Sequence, residues 1–168
     1  MTNAEFIETV KDTIKGQNYP PKYNVEEWAG KVFNCYAYAL QLCIDFANPE
    51  LLPGFIGIRP GFVSRGKEND YQYCKEKTIG YFKEDCDQLG LEVFPTTVDN
   101  PISENEYKIA LYLDEGYDFH FARQDSSGIW SEKNGWNQGI RTLEERNITK
   151  KEDGYEFIGV FRVSKKAG

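Results

Sequence analysis

The sequence predicts a single α+β domain over residues 1–168, with N-terminal helices packed on a C-terminal antiparallel β-sheet. Three observations carry this. Apolar residues recur at helical spacing up to Gly90 and at spacing two after it. The later runs are joined by a short turn, as hairpin strands are. A chain of 168 residues, 40% hydrophobic and 28% charged, is the size and composition of one globular unit with its own core.

The elements follow in order. Thr2-Asn3-Ala4-Glu5 is a capping box, and Phe6, Val10 and Ile14 follow at spacing four, so a helix is expected over residues 3–15, ending before Gly16. Residues 17–33, with Pro20 and Pro21, are expected to run extended and to pack through Tyr23 and Trp28. Asn34 is a strong N-cap ahead of residues 35–47, which are apolar nearly all round. That run reads as a central buried helix with Cys35 in its first turn. Pro49, Pro53, Gly54, Pro60 and Gly61 make residues 48–66 a loop. Asn69 or Asp70 starts a third helix through Tyr73, Ile79, Phe82, Cys86 and Leu89, stopped by Gly90.

Leu91 and Val93 open a short strand ended by Pro95. Ile109, Leu111 and Leu113 alternate with Ala110 and Tyr112, and Tyr117, Phe119 and Phe121 with Asp118, His120 and Ala122. The turn Asp125-Ser126-Ser127-Gly128 leads into Ile129-Trp130-Ser131-Glu132-Lys133, completing a hairpin. Thr142-Leu143-Glu144-Glu145 reads as the cap of one helical turn, and residues 156–163 as the last strand.

Composition excludes several functions. Twenty basic residues against 27 acidic ones give a net charge of −7, without the cationic surface that nucleic-acid backbone binding requires. No run reaches the length of a membrane span, and the N-terminus has neither the basic start nor the apolar stretch of a secretory leader. Cys35, Cys43, Cys74 and Cys86 fall in helix-like segments rather than in a disulfide framework, so reduced thiols and a cytoplasmic location are expected. One histidine and no Cys-x-x-Cys offer no metal site, and no glycine-rich phosphate loop occurs, so no cofactor is expected.

The chemistry-bearing residues are Cys35 and His120. A thiol in the first turn of a helix meets unpaired backbone N–H groups and the positive end of the helix dipole, which favour the nucleophilic thiolate. An imidazole brought beside it from a strand exchanges its proton. Cys43, Cys74 and Cys86 read as small core hydrophobes inside their helices, which is also the alternative for Cys35, facing Ala39 and Leu42. The third group is expected from the strand after His120. A two-residue turn pairs His120 with Lys133 and turns Glu132 away. A three-residue turn with a bulge at Gly128 pairs His120 with Asn134 and leaves Glu132 diagonal on the same face, and Asp-Ser-Ser-Gly suits the bulged form.

Residues 18–40, with Asn-Cys-Tyr-Ala-Tyr-Ala-Leu at their end, resemble the start of a sparsely described group of bacterial and phage proteins. Residues 118–133 resemble that group's His-aromatic-Tyr-Arg-x-Asp-x-x-Gly-x-Trp-Ser-His-Lys signature. The group is similar to papain-like cysteine hydrolases of the NlpC/P60 and CHAP kind. The resemblance implies a papain-like fold, Cys35 as nucleophile, His120 as base, and Glu132 in place of a second His as the orienting group. Ala122 replaces the Tyr of the signature, and Asn134 a frequent Pro.

Two classes of function follow. As a peptidase or amidase, Cys35 attacks an amide or ester carbonyl, with its own backbone N–H and Asn34 or Tyr23 holding the oxyanion, and with Tyr36 and Trp130 near the substrate. As a non-catalytic binding protein on the same scaffold, phage-encoded or bacterial, it sequesters a partner protein or a planar small molecule such as a nucleotide messenger. The aromatics Trp28, Tyr36, Tyr38, Trp130 and Trp136 would then line the pocket. The expected partners are a peptide, an amide or a small-molecule ligand.

Overall fold

Six strands form one antiparallel sheet in the order β1-β6-β2-β3-β4-β5. β1 spans Leu91–Thr96, β2 Glu106–Asp114, β3 Asp118–Gln124, β4 Trp130–Lys133, β5 Ile140–Leu143 and β6 Glu156–Lys165. Ahead of them, among the described residues, lie the helices α1 Val25–Trp28, α2 Cys35–Ala39, α3 Phe62–Arg65 and α4 Lys75–Gln88, with residues 4, 5 and 8 near the N-terminus also helical. A 3-10 turn, Glu145–Asn147, follows β5. This computed structural model describes residues 19–29, 33–42, 58–66, 69–134, 139–152 and 154–167, with residues 2, 4, 5 and 8 near the N-terminus.

The α+β order of helices and then antiparallel strands is as the sequence pattern predicts. Both faces of the sheet are covered. Alternation along the strands sends Ile109, Leu111, Phe119 and Phe121 to one side, where they pack with Tyr36, Tyr38 and Leu40 of the α2 segment and Phe82 of α4 in the main core. Ala110, Tyr112, Ala122, Trp130 and Val160 point the other way, under Ile148 of the segment that follows β5. Burial on both faces explains why β2 reads as a nearly continuous apolar run. A bulge between Leu111 and Tyr112 shifts the β2–β6 register beside the position opposite His120.

Several boundaries differ from the sequence pattern, each for a local reason. Residues 25–28 form a helical turn rather than extended chain, because the Asn24 side chain accepts from the Glu26 and Glu27 amides. The central helix stops at Ala39 instead of reaching residue 47. Gln41 adopts φ 57°, and the amides of Gln41 and Leu42 close on the carbonyls of Tyr38 and Ala37 in a Schellman arrangement. Within the expected loop over 48–66, residues 62–65 make one helical turn. The third helix starts at Lys75, not at Asn69, since the Asn69 side chain accepts from the Tyr71 amide and turns the chain first. Cys74 is therefore the N-cap of α4 rather than an interior residue.

Pro95 does not end β1; the strand runs on to Thr96 at the edge of the sheet, where proline is tolerated. Residues 140–143 pair with β4 as a strand, and the helical turn expected at 142–145 is a 3-10 turn one step later. The Thr2 hydroxyl accepts from the Glu5 amide as a capping box does. Most of the helix expected over 3–15, with Cys43 and Trp136, lies outside the described residues. Among the described residues, no helix is long and apolar enough to cross a membrane.

Candidate active site

The β3–β4 turn sets the register. Asp125 and Ile129 close a three-residue loop, Asp125 N–H donating to the Ile129 carbonyl at 3.0 Å, and Gly128 sits at φ 93°. The Asp125 carboxylate fixes this loop by accepting from the Ser127 amide at 3.0 Å, the Ile129 amide at 3.1 Å and the Tyr23 amide at 2.7 Å. Ala122 then lies opposite Glu132. His120, two residues back along β3, shares that face, and Glu132 lies on its diagonal. This is the bulged register, and Glu132 reaches the ring: His120 Nε2 and Glu132 Oε1 are 2.6 Å apart, both side chains almost fully buried.

Glu132 is held from its other side as well. Its Oε2 accepts from Arg141 Nε at 2.7 Å and lies 2.6 Å from Nη2 of the same guanidinium. Arg141 stands directly across from Glu132 on β5. Lys151 Nζ is 4.0 Å from Oε1. Burial alone would raise the Glu132 carboxyl, but the imidazole, the guanidinium and Lys151 outweigh it and bring it down to about 2. Arg141 and Lys151 escape a reading of the sequence, because Arg141 sits on the strand that reads as a helix cap and Lys151 on an irregular segment. A basic residue across from a buried acidic one is the only signal, and it appears once β4 and β5 are paired.

Cys35 approaches the same imidazole from α2. Asn34 caps this helix, its Oδ1 accepting from the Ala37 amide at 3.0 Å while its Nδ2 donates to the Ile58 carbonyl. The other end is clamped too. Arg123 donates to the Tyr38 carbonyl at 2.7 Å and stacks 3.7 Å over the Tyr38 ring, while the Tyr107 and Tyr19 hydroxyls donate to the Ala39 and Leu40 carbonyls at 2.9 and 2.6 Å. These bonds satisfy the C-terminal carbonyls of a five-residue helix that is buried along its whole length. Cys35, the first residue of α2, lies close enough to His120 for its thiol to raise the ring's pKa. Burial lowers the His120 pKa, the thiol and Glu132 raise it more strongly, and it is carried up to about 9. His120 therefore holds its proton at neutral pH.

Lys133 and Tyr155 flank the pair. Lys133 is fully buried on β4, and burial holds its ammonium below the ordinary value against the opposing effect of the nearby Cys35. The Tyr155 hydroxyl donates to the Asp118 carboxylate; burial first, and then that carboxylate, push its pKa up.

The remaining predicted site residues lie elsewhere. Asn34 caps α2 through Oδ1 and spends one Nδ2 hydrogen on the Ile58 carbonyl. Tyr23 is fixed by its amide to Asp125 at the hairpin turn, beyond the far end of α2 from Cys35. Tyr36 points into the main core, where its hydroxyl donates to Asp85 at 2.6 Å, and Trp130 is buried in the smaller cluster under Ile148. With Trp28 and Tyr38 these rings are core, at most 2% exposed. Sequence reasoning also missed Asp85. This fully buried carboxylate accepts from Tyr36, from the Gly61 amide at 2.9 Å and from Ser64 N and Oγ at 2.8 and 2.7 Å, tying α2 and α3 to α4. Among the described residues no group of three His, Cys, Asp or Glu side chains is placed to hold a metal ion.

Residues 24–157 match the model of a family described as a domain of unknown function, DUF7689, and the chain belongs to that family. The matched span includes Cys35, His120, Glu132 and Arg141. No curated protein and no solved structure matches the chain.

Proposed function

We propose that the chain is a papain-like cysteine hydrolase, a peptidase or amidase, with Cys35 as nucleophile, His120 as proton carrier and Glu132 as the group that orients the imidazole. The observation that carries this reading is the buried His120–Glu132 contact of 2.6 Å with the Cys35 thiol at the same ring. Glu132 occupies Nε2, which leaves Nδ1 for exchange with the thiol. The Cys35 sulfur attacks the carbonyl carbon of an amide, and the Cys35 backbone N–H faces the oxyanion that forms. The His120 imidazolium gives its proton to the departing amine, leaving a thioester on Cys35. Water then attacks the thioester carbonyl as neutral His120 takes its proton, and the thiol is released. Glu132 keeps its charge throughout and balances the imidazolium. Arg141 acts through Glu132 and is a positioning residue.

The test is thiol reactivity. Iodoacetamide at pH 6, with the modified residue located by mass spectrometry, is expected to label Cys35 at least about tenfold faster in the native protein than in His120→Ala, since the thiolate is the reacting form. Equal rates in the two proteins would make Cys35 a structural thiol. The chain would then act by binding rather than by catalysis.

A further inference from the structure

Glu132 forms part of the wall of a cleft of about 270 Å³ whose lining includes Tyr112 and Leu143 of the smaller cluster. This is smaller than the roughly 300–1,000 Å³ of pockets that enclose a whole small molecule, so it suits one end of a ligand. Its apolar surface comes from Tyr112, whose hydroxyl is tied to the Ile148 carbonyl, and from Leu143. Its polar groups are mainly donors: Arg141, Lys150, Lys151 and Asn147. Two carboxylates oppose them, Glu132 and Glu152, and Glu132 is already engaged by His120 and Arg141.

Donor capacity is left over. Arg141 uses Nε and Nη2 on Glu132, and among the described residues its Nη1 bonds to nothing. Lys150 makes no ion pair and the Asn147 side chain no hydrogen bond among the described residues. A concentration of uncommitted donors around an apolar floor is unusual on a chain of net charge −7. Guanidinium and ammonium groups converging in this way recognise carboxylate or phosphate oxygens.

We propose that this cleft binds the acidic end of the ligand, a carboxylate or phosphate carried on a short apolar stem. The stem lies on Tyr112 and Leu143, and the oxygens meet Lys150, Asn147 and the free edge of Arg141. The inference extends the hydrolase reading by a ligand class, since the cleft shares Glu132 with that site, yet it is tested without chemistry.

The measurement is a titration of Cys35→Ala protein, followed by backbone amide shifts, with three probes: glutarate, inorganic phosphate and the uncharged glutaramide. Glutarate or phosphate is expected to saturate shifts confined to residues 141–152 in the millimolar range. Lys150→Glu should weaken that binding at least about fivefold, and Lys75→Glu, an exposed change on α4, should not. Tighter binding of phosphate than of glutarate assigns the head group to a phosphoryl; the reverse assigns it to a carboxyl. Glutaramide binding as well as glutarate, no saturation by about 50 mM, or no effect of Lys150→Glu would each overturn the proposal. If these fail while Cys35 alkylation still depends on His120, the hydrolase reading stands and only the ligand class falls.

Discussion

His120 lies between a thiol and a carboxylate, and its buried position makes each neighbour count. Its pKa stands at about 9 instead of 6.5, so the folded chain binds this proton more tightly than the unfolded chain does. The resulting stabilisation is complete below about pH 6.5 and is lost as pH rises through 9. Glu132 has the opposite sign. Its carboxyl is depressed from 4.5 to about 2, so its contribution is complete above pH 4.5 and is lost as pH falls through 2. The pair stabilises the fold most between these limits, from about pH 4.5 to 6.5. Melting temperatures recorded from pH 6 to 9.5 should fall more steeply for the native protein than for His120→Ala, and parallel curves would show that the imidazole carries no linked stabilisation. Cys35 and His120 are legible in the sequence because each is chemically singular in its place, a thiol directly after an N-cap Asn and the only histidine in the chain. Arg141 and Asp85 are not legible, since nothing local separates a functional or structural charge from a solvated one.

At the level of elements, α2 is held by side chains and not by its own length. Five residues are too few for a helix to persist in water, and the Asn34 cap, Arg123 and the Tyr19 and Tyr107 hydroxyls supply what propensity does not. This is also why its C-terminus was illegible. The apolar run to Ala47 promises a longer helix, and the tertiary bonds of Gln41 and Arg123 end it early. Asp85 binds the neighbouring elements, and burial lifts its carboxyl to about 6 against the hydrogen bonds from Tyr36, Ser64 and Gly61 that lower it. Asp85→Ala strands those four donors in the core and should cost about 3 kcal/mol in urea unfolding. A loss below about 1 kcal/mol would show that water replaces the carboxylate without strain. β5 was hidden by its half-exposed, non-alternating pattern, yet it carries Arg141. Arg141→Ala should change stability by under about 1 kcal/mol, because the side chain is half exposed. It should nonetheless slow Cys35 alkylation, with Arg141→Lys recovering part of the rate. An unchanged rate would confine Arg141 to the surface.

Across the whole molecule, the change of hydrophobic period at Gly90 is enough to give the α+β order and the antiparallel sheet, because burial forces the alternation. It does not give the strand order, in which β6 returns between β1 and β2, since alternation along a strand says which face is buried and not which strand lies beside it. The cysteines divide by location: Cys86 is fully buried in α4, and burial raises its thiol, whereas Cys35 sits at the start of its helix beside the imidazole. Cys86→Ala should cost about 1 kcal/mol or more through a small cavity and leave Cys35 reactive. A loss of Cys35 labelling in that variant would mean that the core and the site are not separable. Cys35, His120 and Glu132 come from three elements and meet only in the folded chain, so the titration of the single imidazole reads the whole assembly. Followed by NMR, His120 is expected to titrate near pH 9 in the native protein and to fall toward 6.5 in both Cys35→Ala and Glu132→Gln. A native value near 6.5, or one that Cys35→Ala leaves in place, would contradict the Cys35–His120–Glu132 site.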